Sequence, residues 1–221
     1  MAKSCNLATG SQRRVTLCHV PRPKTHDDAL RVRLLDRAGE LLSHQGPTAL
    51  SLRRLAADVG TSTTAVYSLF GGKPALVREL YIEAFQRLGT RLDLVPGTGD
   101  PVEDAVALGL AYRRGALEDP HLYSIMFGSA IPGCEPDEEA TVHGMAALMP
   151  LLDVVRRGVK DGVFVDANPR HIAVSVWGIA HGLVSLELNG SLPVDFDSEP
   201  SFERALRANL AGWLACKNGV R

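Results

Sequence analysis

Residues 51–80, SLRRLAADVGTSTTAVYSLFGGKPALVREL, decide how this chain is read. Ser51 is a strong N-cap for a short apolar-periodic segment carrying Leu52, Leu55, Ala56 and Val59, because its hydroxyl can accept from an unpaired N–H of the first turn. Gly60 closes the segment at the point where the chain must turn left-handed, which glycine does without a Cβ penalty. Thr61 or Ser62 caps a second helix that turns Ala65, Val66 and Leu69 or Phe70 inward, and the small Ala56 lets the two helices approach closely. A third helix follows at once. This is the layout of a helix-turn-helix, whose second helix can enter the major groove of a duplex. Alone, it is equally the layout of two packed helices in any α-helical protein.

The outward face of the second helix favours the first reading. It carries Ser62, Thr63, Thr64, Tyr67 and Ser68. These groups hydrogen-bond, and most are small enough to lie against base edges and phosphates. A merely solvated helix face would more often hold Glu and Lys, the better helix formers. Charge points the same way. Residues 1–92 hold 14 Lys+Arg against 7 Asp+Glu, whereas residues 93–221 hold 10 against 18. The whole-chain value of -1 hides this asymmetry, which aims one end of the molecule at a polyanion.

The run GTSTTAVYSLFGGKPALV resembles the signature of the TetR family of transcriptional regulators: a turn glycine, small polar residues opening the recognition helix, then Tyr67, Phe70, Lys73 and Leu76 at fixed spacing. The resemblance covers residues from about 27 to 91. There are departures. Leu69 stands where the family often has His or Tyr, Gly71-Gly72 replaces a more polar pair, and Pro74 takes the place of an acidic residue, which a first helical turn tolerates. The resemblance implies contacts to double-stranded DNA from Thr48, Ser51, Arg53, Thr61, Ser62, Thr63, Thr64, Tyr67, Ser68 and Lys73. It further implies a homodimer on a palindromic operator, and most often a repressor.

The chain has 221 residues, 45% hydrophobic and 22% charged, which is ordinary for a globular protein able to bury a sizeable core. No apolar signal-peptide region opens it. The longest apolar run, residues 172–188, is broken by Ser175, His181, Ser185 and Glu187, so it is read as short of a membrane span. A cytoplasmic protein without membrane contact is expected. Cys5, Cys18, Cys134 and Cys216 show no C-x-x-C spacing, so neither a disulfide framework nor a zinc site is expected.

Residues 1–25 read as a basic arm without apolar period, disordered in the free protein. It is either a phosphate-following arm or an extension without a role. Helical periodicity then runs over 27–45, through the three helices of the signature and on to 92. Residues 96–100, PGTGD, are the clearest break. Helices are predicted over 102–117, 120–129, 137–160 with an interruption at Pro150, 168–188 and 200–217, and residues 131–136 read as a loop. The expected fold is all-α with roughly nine helices. A helix-turn-helix DNA-binding domain spans 26–95, and a helical ligand-binding and dimerisation domain spans 100–221.

The last two helices carry small residues four apart, Gly178 and Gly182 on one and Ala208 and Gly212 on the other. Each helical glycine costs about 1 kcal/mol against alanine, and close approach of another helix offsets it. That other helix is either intramolecular or a second copy; the resemblance favours a dimer interface holding Gly178, Gly182, Leu186, Leu206, Leu210 and Trp213. The run WGIAHG at 177–182 is similar to the signature of the family's WHG-type C-terminal subclass. Trp177 and His181 share a helix face. With Tyr112, Tyr123, Met126, Phe127, Met145 and Met149 they either line a pocket for a hydrophobic or aromatic effector or are plain core. A lone His there is more often a satisfied core residue than a ligand group.

No catalytic residues, metal ligands or cofactor are predicted. The seven histidines show no H-E-x-x-H spacing, and no G-x-S-x-G, phosphate-binding loop or dinucleotide fingerprint occurs. An enzyme is not expected. The alternative reading is a helical ligand-binding or interaction module without specific DNA binding.

Overall fold

The structure, a computed structural model, describes residues 24–128 and 137–216. The expectations for residues 1–23, for a loop over 131–136, and for Cys5, Cys18 and Cys134 lie outside the described residues. Those described form ten α-helices and one 3-10 turn, with no β-structure among them beyond an isolated antiparallel bridge between Phe164 and Leu214. In chain order the helices are α1 (Lys24–Gln45), α2 (Leu52–Val59), α3 (Thr63–Phe70), α4 (Lys73–Asp93), α5 (Pro101–Glu118), α6 (Pro120–Phe127), α7 (Glu138–Ala146), α8 (Met149–Lys160), α9 (Pro169–Leu188) and α10 (Ser198–Ala211). The 3-10 turn is Pro47–Ala49. Helix α1 thus starts inside the segment read as an arm. Helix α10 stops short of residue 217, because Trp213 and Ala215 pair instead with the turn before α9: Val165 N–H donates to Trp213 O at 2.9 Å and Ala215 N–H to Val163 O at 2.9 Å.

Two cores form. The head core gathers Leu34, Leu41, Leu55, Val66, Leu76 and Leu80 from α1–α4. The body core gathers Val106, Tyr112, Val155, Phe164, Ile172, Val176, Phe202, Leu206 and Leu210. Two helices belong to both. The first half of α4 places Leu76, Val77 and Leu80 in the head, and its second half places Leu92 in the body with Leu88 against it. On α6, Leu122 joins the head core while the adjacent Tyr123 joins the body core. Gly39 of α1 faces α6 there: a Cβ built on it would rest in ordinary contact with Ile125 at 3.6 Å and Leu122 at 3.9 Å.

The linker at residues 96–100 is fastened rather than loose. Asp104, 3% exposed, accepts from the Thr98 backbone N–H at 2.6 Å, from the Thr98 hydroxyl at 2.7 Å and from Arg157. Helix α9 is long and apolar enough, by length and composition alone, to cross a membrane, a test that the core helix of a soluble protein also passes. In this fold its Ile172, Ala173, Val176, Ala180 and Val184 pack into the body core, and its polar groups are bonded: Ser175 Oγ donates to Ile172 O at 2.8 Å and Arg113 holds Glu187 at 2.6 Å.

Candidate functional site

The head exposes one polar helix face. Ser51 Oγ accepts from Arg54 N–H at 3.5 Å and Ser62 Oγ from Ala65 N–H at 3.1 Å, so both serines cap helices. Between them Gly60 sits at φ 73°, its N–H donating to Ala57 O at 3.1 Å while Thr61 N–H donates to Ala56 O at 2.8 Å. This left-handed closure turns the chain so that α3 crosses α2 with Val66 and Phe70 buried. The opposite side of α3 is left to solvent. Thr64, Tyr67 and Ser68 are exposed, Tyr67 at 53%, and Thr63 is half-buried in the first turn. Leu69 packs partly against the head core. Arg53 and Thr48 are exposed, Thr61 is half-buried beside the cap, and half-buried Lys73 opens α4.

Most acids of the N-terminal third are paired with its arginines, which leaves its excess of 14 Lys+Arg over 7 Asp+Glu in place. Arg37 holds Asp58 at 2.8 Å and Glu40 at 2.7 Å, Arg87 holds Asp36 at 2.9 Å and Glu83 at 2.7 Å, and Arg31 pairs with Glu79. Arg78 reaches α7 through Asp137 at 2.5 Å and through Glu139. Much of that charge ties helices together, and Arg31 also lies over the ring of Phe70 on α3, 5.2 Å from its centroid.

The second site is a cavity of about 330 Å³ in the body. Of the residues expected at a pocket, Tyr112, Met126, Phe127, Met145 and Trp177 line it. Tyr123 and His181 stand behind the wall. The Tyr112 and Tyr123 hydroxyls lie 3.0 and 2.9 Å from His181 Nδ1, and Tyr123 also reaches Ser185 Oγ at 2.9 Å. His181 is therefore a hydrogen-bonded core group. Burial lowers its pKa, and burial raises those of Tyr112 and Tyr123, so all three are uncharged near neutrality. Met149 does not reach the cavity: Pro150 ends the α7 period, and Met149 begins α8 on an exposed position. Sequence reasoning missed the α4 wall, Tyr81, Phe85, Leu88 and Leu92, and the α7–α8 wall around Thr141, Gly144, Leu148 and Leu151. Tyr81 and Phe85, four apart on α4, were the available signal.

Two family models match this chain: "Bacterial regulatory proteins, tetR family" over residues 34–80, and "Tetracyclin repressor-like, C-terminal domain" over residues 105–209. The chain belongs to the TetR family. It is a transcriptional regulator with a helix-turn-helix DNA-binding domain. It is similar to an uncharacterised HTH-type transcriptional regulator, Rv0681 of Mycobacterium tuberculosis, with 28% identity over 170 residues, 76% of this chain and 74% of that one. Among solved structures it is similar to the putative regulatory protein SCO4313, with a TM-score of 0.72 and 29% identity over 87% of this chain and 100% of that one. The fold is shared with RolR, solved in complex with resorcinol, at a TM-score of 0.56 and 18% identity over 87% of this chain and 91% of that one.

In this TetR-family chain the small residues of α9 face outward. A Cβ built on Gly178 or Gly182 meets nothing within 4 Å, and Val174, Ile179 and Leu186 are exposed beside them. The interface expected from sequence needs correction on α10. Leu206 and Leu210 are 0% exposed and belong to the body core with Phe202. Gly109 of α5 admits Leu206 so closely that a Cβ there would come within 2.5 Å of it. Trp213 is half-buried, its Nε1–H donating to Ser175 Oγ at 2.9 Å. Beyond its first turn, the outward positions of α10 are Arg204, Ala208 and Ala211.

Proposed function

We propose that two copies of this chain bind a palindromic operator as a repressor in the cytoplasm, and that a small apolar effector in the body cavity releases them. The observation that carries the reading is the double membership of α4. One end of this helix packs against α3 through the head core, and the other walls the cavity with Tyr81, Phe85, Leu88 and Leu92. A ligand that wedges α4 away from α7 or α5 moves the head relative to the body. It acts only to the extent that it binds one arrangement better than the other.

On DNA, Thr63, Thr64 and Ser68 meet base edges, while Tyr67, Lys73 and Arg53 hold phosphates on either side. The open N-terminus of α4, with Lys73 at its first position, suits a phosphate oxygen. Two recognition helices about 34–36 Å apart need a two-fold partner. The exposed Gly178, Gly182 and Leu186 stripe of α9 with Ala208 and Ala211 of α10 supplies a flat surface for it. Selecting bound fragments from random DNA tests the reading. Enrichment of an inverted repeat with half-sites one helical turn apart, by a dimer in sedimentation, is expected. A monomer, or enrichment without symmetry, defeats it.

A further inference from the structure

We propose that the body cavity selects an uncharged, largely aromatic ligand with a single hydroxyl or carbonyl oxygen, and rejects carboxylates and organic ammonium ions. This rests on the effector reading above. Among the described residues no Asp, Glu, Lys, Arg or His lines the cavity; its polar side chains are Tyr81, Tyr112, Thr141 and Trp177, of which the Tyr112 hydroxyl is bonded to His181 and the Thr141 hydroxyl donates to Asp137 O. Behind the wall stands His181, engaged by two tyrosine hydroxyls, its pKa lowered by burial. The charged residues of α4 and α7 belong to the other faces of those helices. Glu79, Glu83, Glu139 and His143 border a separate surface cleft together with Arg31 and Arg78.

A carboxylate entering this cavity loses its water and finds no cation among the described lining residues. An ammonium ion gains attraction from ring faces, but less than full desolvation without a counter-ion removes. A neutral ring loses nothing comparable and meets the edges and faces of Phe85 and Phe127, 5.7 Å apart and T-shaped. Met126 and Met145 adapt to its outline. At about 330 Å³ the space is at the small end of ligand pockets, the scale of one or two fused rings. A ligand oxygen has a neutral hydroxyl partner in Tyr81, whose oxygen lies 3.6 Å from a Cβ built on the cavity-lining Gly144.

The test uses the full chain at pH 7.5 with three probes of one skeleton, 2-naphthol, 2-naphthoate and 2-naphthylmethylammonium, read by calorimetry and by the fluorescence of Trp177 in a Trp213→Phe background. The naphthol is expected to bind at least about tenfold more tightly than either ion. Gly144→Leu places a side chain between α7 and the Tyr81 and Phe85 rings, and should cost at least about tenfold in naphthol affinity. Met145→Trp narrows the same space from the rim and serves if the first variant melts early. Val142→Thr, exposed on the same helix, should change nothing. Equal or tighter binding of either ion overturns the proposal, as does naphthol binding indifferent to both filling variants. If none of the three probes binds, the effector reading falls with it. If naphthol binds as described but leaves operator affinity unchanged, the ligand class stands and the release mechanism fails.

Discussion

The head and the body of this regulator are both helical, yet they keep their working groups in opposite places. In the head, Thr64, Tyr67 and Ser68 point to solvent from one short helix, and the apolar residues between them do the packing. In the body, Tyr81, Tyr112, Phe127 and Trp177 point inward from four helices around a space none of them fills. A surface that reads a partner needs only one well-placed helix. A cavity needs several helices prevented from collapsing onto one another. The two regions should therefore fail differently when altered.

The largest expected effect is in the body. Burial would push the Asp104 carboxyl up, but its bonds from Thr98 and Arg157 hold it below the usual carboxylate range. Asp104→Ala should remove about 2 kcal/mol of stability by leaving these donors unpaired, seen as a lower melting temperature at pH 7. That contribution is present above the unfolded carboxylate value of 3.8 and is lost as pH falls through the lower folded value. Next comes the head's turn. Gly60→Ala forces a Cβ into φ 73° and should cost about 1–2 kcal/mol, with DNA affinity falling more than effector affinity. Equal losses in both would show head and body to be one unit.

Smaller still are changes on the exposed face. Thr64→Ala should cost about 1 kcal/mol on the preferred site and relax sequence preference. Tyr67→Phe and Lys73→Ala should instead weaken binding to all sequences alike. Lys73→Ala should also reduce the slope of log K against log salt by about one. Unchanged melting curves are expected for Thr64→Ala and Tyr67→Phe, whose side chains are exposed; a drop would mean that they pack. The smallest effect concerns His181. Because burial lowers its folded pKa below 6.5, its share of stability is present above that value and fades as pH falls. Thermal melts at pH 7 and 5 should differ less in His181→Gln than in the parent chain.

Legibility in the sequence follows the same division. Ser51, Gly60, Ser62 and the Val66–Phe70 pair are local signals, each acting within four residues of itself, so the helix-turn-helix can be read directly. The interruption at Pro150 and the cap at Asn168 are local too, and both appear as predicted. What could not be read depends on partners distant along the chain. Whether Leu206 meets a second copy or Gly109 is decided by a residue 97 positions away. Which acids the arginines take was hidden for the same reason: Arg37 meets Asp58 and Arg87 meets Asp36, 21 and 51 positions away, although both acids were already in the count of the basic head. The aromatic set was recovered in part: Trp177 stands in the WGIAHG signature and Phe127 in the aromatic stretch 120–127. Tyr81 and Phe85 looked like the ordinary continuation of α4.

Leu122 on α6 carries a practical consequence for anyone wishing to rewire this sensor. A chimera cut at the visible break near residue 97 would take α1–α4 to a foreign body and leave behind the residue that plugs the underside of the head. Such a hybrid would emerge with a hole beneath Gly39 and Leu80. A graft that imports the short helix along with the reading head, or repaints its replacement with matching apolar residues, keeps that seal.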